Sequence, residues 1–549
     1  MDRGNGEMKP WISLRWDSSE KASPNTIPPQ RFPCRRILFL ILLLSLIIRW
    51  YNWEHTHIIN PDGTLYIDQA RMISHGYMAE TTLADLRFLS PYPFAVAAAY
   101  PLLGDWETAA RGISLLFGTL TLIPLFLLAR KFLRPETALG LILIFALMPT
   151  FVVNSAEAVR DPMAWFFGAC GLYLMIHQTQ TKRWWAVCLA GASFVLAAWS
   201  RVEMGLFFGV SLLFLLFLEE KARFRKCLVF CLPLLAFLLL NIWISAAGQA
   251  VELNALRIDE IKTKPGGLFT GYQGVREGLS HLAQDQATGP LRFFLQIARS
   301  HVLLVAFGEI VSTLLKAVHY PFALLFIAAF TPLRREIGKN RCLFYLTFLA
   351  AAALGILYVH LLDQWISEAR FFVFALLPAS VIMGLGLDRC LSFLSRRFQL
   401  QGATALFIAA AVVMALTLPK NLKEREADKG VFKAIGALIA SREDPGRLTP
   451  VAASDPIQRW ITFYANPRYN GPTPINGNQL RIEALVGSSY ERLMQNLRAQ
   501  RIPYLLWEEK RWPDCGYTLE KSMNRRDLKM LGHWEHRDTG RMILFEVQP

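Results

Sequence analysis

Long apolar runs return along this chain from end to end, and they decide what it can fold into. They lie at 37–48, 113–129, 138–153, 163–176, 185–199, 204–218, 227–246, 320–331, 342–359, 371–387 and 403–418. A helix needs about 20 mostly apolar residues to cross a bilayer, so the shorter runs need help from flanking aromatics or local thinning. The pattern gives about eleven spans in 549 residues, of which 53% are hydrophobic and only 18% charged. The chain reads as a polytopic α-helical membrane protein. The run at 37–48 follows a basic arm ending in Arg31, Arg35 and Arg36. No small-residue cleavage site follows it, and Arg49, Trp50, Tyr51 and Trp53 form an interfacial anchor, so it is read as a retained first span rather than a signal peptide.

The net charge of +15 raises the question of nucleic acid, and position answers it. Lys131 and Arg134; Lys182 and Arg183; Lys221, Arg223, Arg225 and Lys226; Arg334, Arg335, Lys339 and Arg341; and Arg389, Arg396 and Arg397 fall in alternate short loops. The positive-inside rule places those loops and the N-terminal arm in the cytoplasm. The charge therefore reports topology, with no nucleic-acid footprint. Eleven spans then put the tail from about Pro419 outside. Of eight cysteines only Cys515 lies in that tail, so no disulfide framework is expected there, and no Cys/His spacing resembles a zinc site.

The expected organisation has three parts. Residues 1–36 are a polar, proline-bearing cytoplasmic arm. Residues 37–418 are the transmembrane module, with outer loops at 54–107, 154–161 and 247–300. Within the first loop, 64–78 can form an amphipathic helix on the membrane, and 91–103 is apolar enough to dip into it. In the third, Pro265-Gly266-Gly267 is a turn signal, and a helix should begin near Pro290. The stretch 301–319 carries Glu309, Lys316 and His319, which argue against deep burial in lipid. Residues 419–549 have shorter apolar runs and more charge. Helices are expected near 424–441, 456–465 and 487–500, with strands at 449–453, 503–508 and 541–547. This alternation suggests a small extracytoplasmic α/β domain.

Several residues could carry chemistry. Asp62, in Asn60-Pro61-Asp62-Gly63, fits a turn or a helix cap, and fits a general base beside a low-dielectric bilayer equally well. Asp161 precedes Pro162, which suits a helix start with Asp161 as the cap. A helix N-terminus beside Arg160 would also suit an anion such as a lipid phosphate. Arg201 and Glu203 sit between two short spans. Arg370 stands at the outer mouth of another. Each arginine reads either as a snorkelling side chain or as a phosphate ligand on the side where the carboxylates lie. Glu157, Glu203, Tyr66 and Arg71 complete the candidate set. His55 and His57 flank Thr56, but no further ligands stand near them in sequence.

These motifs, in this order, resemble the C-type membrane glycosyltransferases, nearest the protein O-mannosyltransferase and lipid A aminoarabinose-transferase group. The matching segments are Pro61-Asp62-Gly63-Thr64-Leu65-Tyr66-Ile67 through Ala70, Ser90-Pro91-Tyr92-Pro93, and Gly104-Asp105-Trp106-Glu107 with Ala110-Arg111. Glu157 to Asp161, Ser200-Arg201-Val202-Glu203, and Ala369-Arg370-Phe371 to Pro378 follow. The resemblance covers roughly residues 50–390. One departure is Gly63, where the family often has a second acid.

The resemblance implies a polyprenyl-phosphate-linked sugar as donor and a lipid, glycan or protein acceptor on the outer face. Asp62 would take the acceptor's proton, the lipid phosphate would leave, and the configuration would invert. Arg160, Arg201 and Arg370 would grip the phosphate, and Asp161 would orient an arginine, the acceptor or a metal. No cofactor is fixed by this reading, and a divalent metal ion is left open. The protein would sit in a bacterial inner or plasma membrane with its N-terminus in the cytoplasm. Two other readings stand beside it: a transporter or flippase, which would need ionisable residues along the spans, and a non-catalytic envelope assembly protein.

Overall fold

The computed structural model describes residues 33–82, 86, 88–218, 222–246, 258–285, 288–519 and 526–548. Most of the N-terminal arm and the start of the third expected loop fall outside that set. Helices dominate up to Asn421. Five of them are long and apolar enough to cross a membrane: Trp106–Ala129, Arg223–Trp243, Arg341–Gln364, Ala369–Phe398 and Gly402–Asn421. Two bent pairs, Pro135–Leu147 with Pro149–Ala156 and Pro290–Ser300 with Val302–Val318, raise the number to seven among the described residues. The sequence reading of about eleven counted every apolar run as a span. Several of those runs form helices too short by this measure, among them Trp184–Ser200 and Val202–Phe217.

The helix Ala369–Phe398 is the axis of the bundle, with Val373, Leu377, Val381 and Met383 buried against Phe145, Phe194 and Phe207 of its neighbours. Peripheral helices are different. Arg223–Trp243 and Gly402–Asn421 expose Leu232, Leu239, Trp243, Phe407 and Val412. Only lipid can cover such faces without cost, because apolar surface in water is unfavourable.

One break in the bundle bears on the site. Pro149 lacks an N–H, so the helix Pro135–Leu147 ends and the chain turns by 51° into Pro149–Ala156. The carbonyls freed by this break are capped from other helices. Arg49 donates to Ala146 O at 2.9 Å, and Asn421 Nδ2 donates to Leu147 O at 2.8 Å. Buried carbonyls need such partners.

The first loop is a compact layer over one end of the bundle. The helix Pro61–Ser74 starts three residues before the expected one, because Pro61 takes the first helical position and Asn60 caps it. The helix Pro91–Leu103 packs beneath it. Ile59, Tyr66, Ile67, Tyr92, Val96 and Trp106 form their shared core. Farther on, the helix Ile258–Asp285 runs straight through Pro265-Gly266-Gly267, so the expected turn is absent. The helix expected at Pro290 begins there, and ends at an 81° bend into Val302–Val318.

The C-terminal domain is a four-stranded sheet covered on both faces. Its strands are β1 (Val451–Ala452), β2 (Tyr504–Glu508), β3 (Leu528–His536) and β4 (Gly540–Val547), in the order β1-β2-β4-β3. β1 and β2 are parallel; the other pairs are antiparallel. All of β2 is buried, with Tyr504 and Leu506 facing the helices Gly430–Ala440 and Ile457–Ala465, and Leu505 and Trp507 facing Tyr490–Ala499. A strand buried on both faces needs apolar residues at every position rather than at alternate ones. β3 has no counterpart in the sequence reading: Lys529 and Met530, on opposite faces, are both exposed, and a bulge between Met530 and Gly532 breaks the alternation. The first helix of the domain begins at Gly430 rather than 424, because the chain before it is pinned to the end of the helix Cys34–Glu54. His57 N–H donates to Arg425 O at 3.2 Å, and Arg425 N–H donates to His55 O at 2.9 Å.

Candidate active site

The two acidic motifs meet because a glycine lets them. A Cβ on Gly63 would lie 2.7 Å from Ala158 O and 2.8 Å from Ala158 Cβ. The first turn of Pro61–Ser74 therefore rests directly on the 157–160 loop, as only glycine allows. The residue that departs from the family pattern is thus the one that seats the loop. Glu157 fastens the contact, accepting Asn60 N–H at 3.0 Å. Ser114 Oγ donates to Val159 O at 2.9 Å and anchors the same loop to the helix Trp106–Leu120. Burial pushes the Glu157 carboxyl above its ordinary range, with Arg111 and the Asn60 N–H pulling it partly back.

Neither aspartate is spent on a cap. Asn60 is the cap of the first-loop helix, and its side chain accepts Asp62 N–H at 3.0 Å. Arg160 occupies the cap position of Asp161–Thr181, which moves Asp161 to the first helical residue. Both carboxylates are left to meet cations. Asp62 Oδ2 accepts from Arg370 at 3.1 Å. Asp161 is almost fully buried and paired with Arg201. Of the three partners left open for Asp161 in the sequence reading, the structure supplies an arginine.

Five of the expected residues stand in one electrostatic group: Tyr66 lies in the fields of Arg160, Asp62, Asp161 and Arg370. Arg201 also reaches Glu203 at 3.5 Å, and Arg370 reaches Glu368 at 2.6 Å. Arg201 and Arg370 share the Phe371 ring, at 4.8 and 5.4 Å from its centroid. Arg160 lies over Phe88 and Tyr66, at 4.5 and 5.7 Å. Planar guanidinium groups stacked on rings keep a fixed direction while retaining donors for an anion.

Beside these arginines lies a small pocket. Arg201, Glu203, Arg370 and His360 line it together with the apolar Trp165, Ile356, Leu357 and Phe374. Such a lining suits an amphiphile with an anionic head and a hydrocarbon tail.

Arg71 does not join the group. It pairs with buried Asp68 at 2.8 Å, donates to Gly471 O and Thr473 O, and stacks on Tyr469, all at the seam with the C-terminal domain. Asp68 in turn accepts Ile475 N–H at 2.8 Å. His55 stacks on Tyr51 and His57 pairs with Glu424 at 3.2 Å. Among the described residues, no three His, Cys, Asp or Glu side chains converge as metal ligands. Three neighbours of the group were not foreseen: Glu368, His360 and Arg459. Arg459 comes from the C-terminal domain and lies 3.6 Å from Asp62 Oδ1. No local pattern marks it, since it is one charged position on a short amphipathic helix.

Comparison with known proteins agrees with this architecture. Residues 91–245 match the dolichyl-phosphate-mannose-protein mannosyltransferase family. Among solved structures, ArnT from Cupriavidus metallidurans bound to undecaprenyl phosphate superposes with a TM-score of 0.57 at 14% identity, over 92% of this chain and 97% of that one. The Archaeoglobus fulgidus oligosaccharyltransferase tethered with an acceptor peptide containing the NVT sequon gives 0.51 at 12% identity, over 88% and 70%. The archaeal oligosaccharyltransferase AglB from the same organism, in complex with an inhibitory peptide and a dolichol-phosphate, gives 0.50 at 14%, over 87% and 69%. No curated protein matches by sequence. The resemblance drawn from the motifs stands: this chain has the fold of the C-type membrane glycosyltransferases.

Proposed function

We propose that the protein is an integral-membrane glycosyltransferase that moves a sugar from a polyprenyl-phosphate carrier to an acceptor at the extracytoplasmic surface. The observation that carries this reading is the contact between Asp62 and Arg370, at 3.1 Å, beside the small pocket. It puts a carboxylate next to a guanidinium suited to hold a phosphate, and a bound sugar phosphate would enter between the two and part this contact.

In this reaction the donor phosphate lies against Arg370 and Arg201, and its isoprenoid chain follows the apolar wall. The acceptor hydroxyl approaches from the side of Asp62. Its oxygen forms a bond to the anomeric carbon while its proton passes to the Asp62 carboxylate. The bond from that carbon to the phosphate oxygen breaks, and the electron pair leaves with the phosphate. Attack opposite the leaving group inverts the anomeric configuration. The arginines stabilise the charge that grows on the departing phosphate. Asp161 holds Arg201 in place rather than touching substrate, since its carboxylate is buried against that arginine. The fold shared with ArnT, which was solved with undecaprenyl phosphate bound, supports a lipid-phosphate carrier here.

The test is transfer from a radiolabelled polyprenyl-phosphate sugar by the purified protein in lipid. Asp62→Ala should abolish transfer while membrane insertion stays normal. A variant that turns over at the wild-type rate removes Asp62 from the mechanism. Mass spectrometry of extracts from cells with and without the chain would identify the sugar and its acceptor.

A further inference from the structure

The two oxygens of Asp62 are held from two different parts of the protein. Oδ2 meets Arg370 of the bundle at 3.1 Å, and Oδ1 meets Arg459 of the C-terminal domain at 3.6 Å. A carboxylate against one arginine can still swing about its side-chain bond. One met at both oxygens, by a hydrogen bond on one and an ion pair on the other, has that swing restricted, so the unshared lone pairs favour one direction. Arg459 is itself braced. Its Nε lies 3.0 Å from Asp455 Oδ1, and the other Asp455 oxygen lies 3.7 Å from Arg481. Arg511 donates to the Asp455 backbone carbonyl at 3.1 Å. The helix Ile457–Ala465 that carries Arg459 is fixed to the root of the first loop, where Trp460 Nε1 donates to Ile59 O at 2.8 Å. The Asp62 side chain is 38% exposed, against 15% for Arg459, so the carboxylate is the more reachable of the two.

We propose that Arg459 is a positioning residue for Asp62, so that the C-terminal domain forms part of the transfer site. A simple docking contact is the competing reading. Docking is already provided elsewhere, by Trp460 on Ile59, by Asp68 on Ile475, and by Arg71 on Gly471 and Thr473. None of those contacts involves Asp62. Loss of Arg459 therefore leaves the seam closed and frees Asp62, while Asp455 keeps Arg481 and Arg511.

The proposal rests on the reading of Asp62 as the base, and the experiment separates the two. Full-length protein in nanodiscs is assayed with a polyprenyl-phosphate sugar donor as wild type, Arg459→Met, Arg459→Lys and Asp62→Asn. Arg459→Met should lower kcat about 10- to 100-fold, as a misplaced reacting group does, with the donor KM within about threefold of wild type. Limited proteolysis of the 422–429 linker should be unchanged. Arg459→Lys should recover a large part of kcat, because a point charge replaces the fork. Wild-type kcat in Arg459→Met, beside an inactive Asp62→Asn, overturns the proposal and leaves the base intact. So does a Lys variant as poor as Met together with faster proteolysis, which marks a docking role alone. Full turnover in Asp62→Asn removes the base itself. Should Arg459→Met fail to insert, the neutral Arg459→Gln decides: reduced kcat at unchanged KM and unchanged proteolysis supports the proposal, and wild-type kinetics refute it.

Discussion

Gly63→Ala is the sharpest perturbation the site offers. The added Cβ would meet Ala158 O at 2.7 Å and Ala158 Cβ at 2.8 Å. An ordinary contact lies at about 3.5 Å, so the helix Pro61–Ser74 and the 157–160 loop must part by roughly 0.7 Å or more. Neither neighbour can give way as a flexible side chain would. One is backbone, and Ser114 and the Asn60 to Glu157 bond hold it. Overpacking of this kind costs about 1–3 kcal/mol. The larger effect falls on catalysis. Asp62 is the adjoining residue, and its 3.1 Å contact with Arg370 lengthens as the loops separate. A displacement near 1 Å at a reacting group can cost on the order of 100-fold in rate. Transfer should fall about 10- to 100-fold, with a small drop in the thermal midpoint measured in the same lipid. Ala158→Gly in the same chain removes one of the two clashes and should restore part of the rate. Gly63→Glu, which rebuilds the family's acid pair, should be worse than Gly63→Ala. Wild-type turnover in Gly63→Ala would refute the claim that this close approach sets the base.

Other outcomes follow from the same geometry. Glu157→Gln should change how stability depends on pH. Burial raises the folded Glu157 carboxyl above its unfolded value, so the unfolded chain gives up its proton first and stability is lost as pH rises from about 4.3 upward. Glutamine still accepts the Asn60 N–H and has no proton to lose, so its melting temperature should lack that part of the slope; an unaltered slope counts against the buried carboxyl. Arg71→Met should leave Asp68 buried without its partner, at a cost of about 3–5 kcal/mol. Proteolysis of the C-terminal domain should accelerate, and an equally resistant domain would rule out Arg71 as its anchor. Arg201→Lys keeps the charge but loses the fork, and should raise the donor KM about tenfold, close to the loss of one charge-assisted bond. Unchanged KM would exclude Arg201 from the phosphate.

The linear sequence was informative where the physics is local. Apolar runs of sufficient length cannot be left in water, so a membrane bundle was readable from hydropathy alone. Proline marked the start of Pro290–Ser300 because it suits the first helical turn, and the same signal at Pro61, where the helix starts three residues before the expected 64, went unused. Clustered motifs also named Asp62, Asp161, Arg201 and Arg370. Locality failed at the 81° bend, which no proline marks, and at β3, whose bulge hides its period; the 51° bend had a local sign, Pro149, that the apolar run concealed.

What each charged group does was decided by packing. Asp161 finds Arg201 across 40 positions, and Asp62 finds Arg370 across 308. Both aspartates fit the pattern of helix caps, and the fold gave that work to neighbours. Arg71 shared a motif with Asp62 and went to the domain seam instead. Arg459, in a domain outside every motif, arrived beside the base. Composition along a chain tells which groups must leave water or stay in it; which two charges come within 4 Å depends on how helices far apart in sequence are stacked, and only the folded chain contains that information.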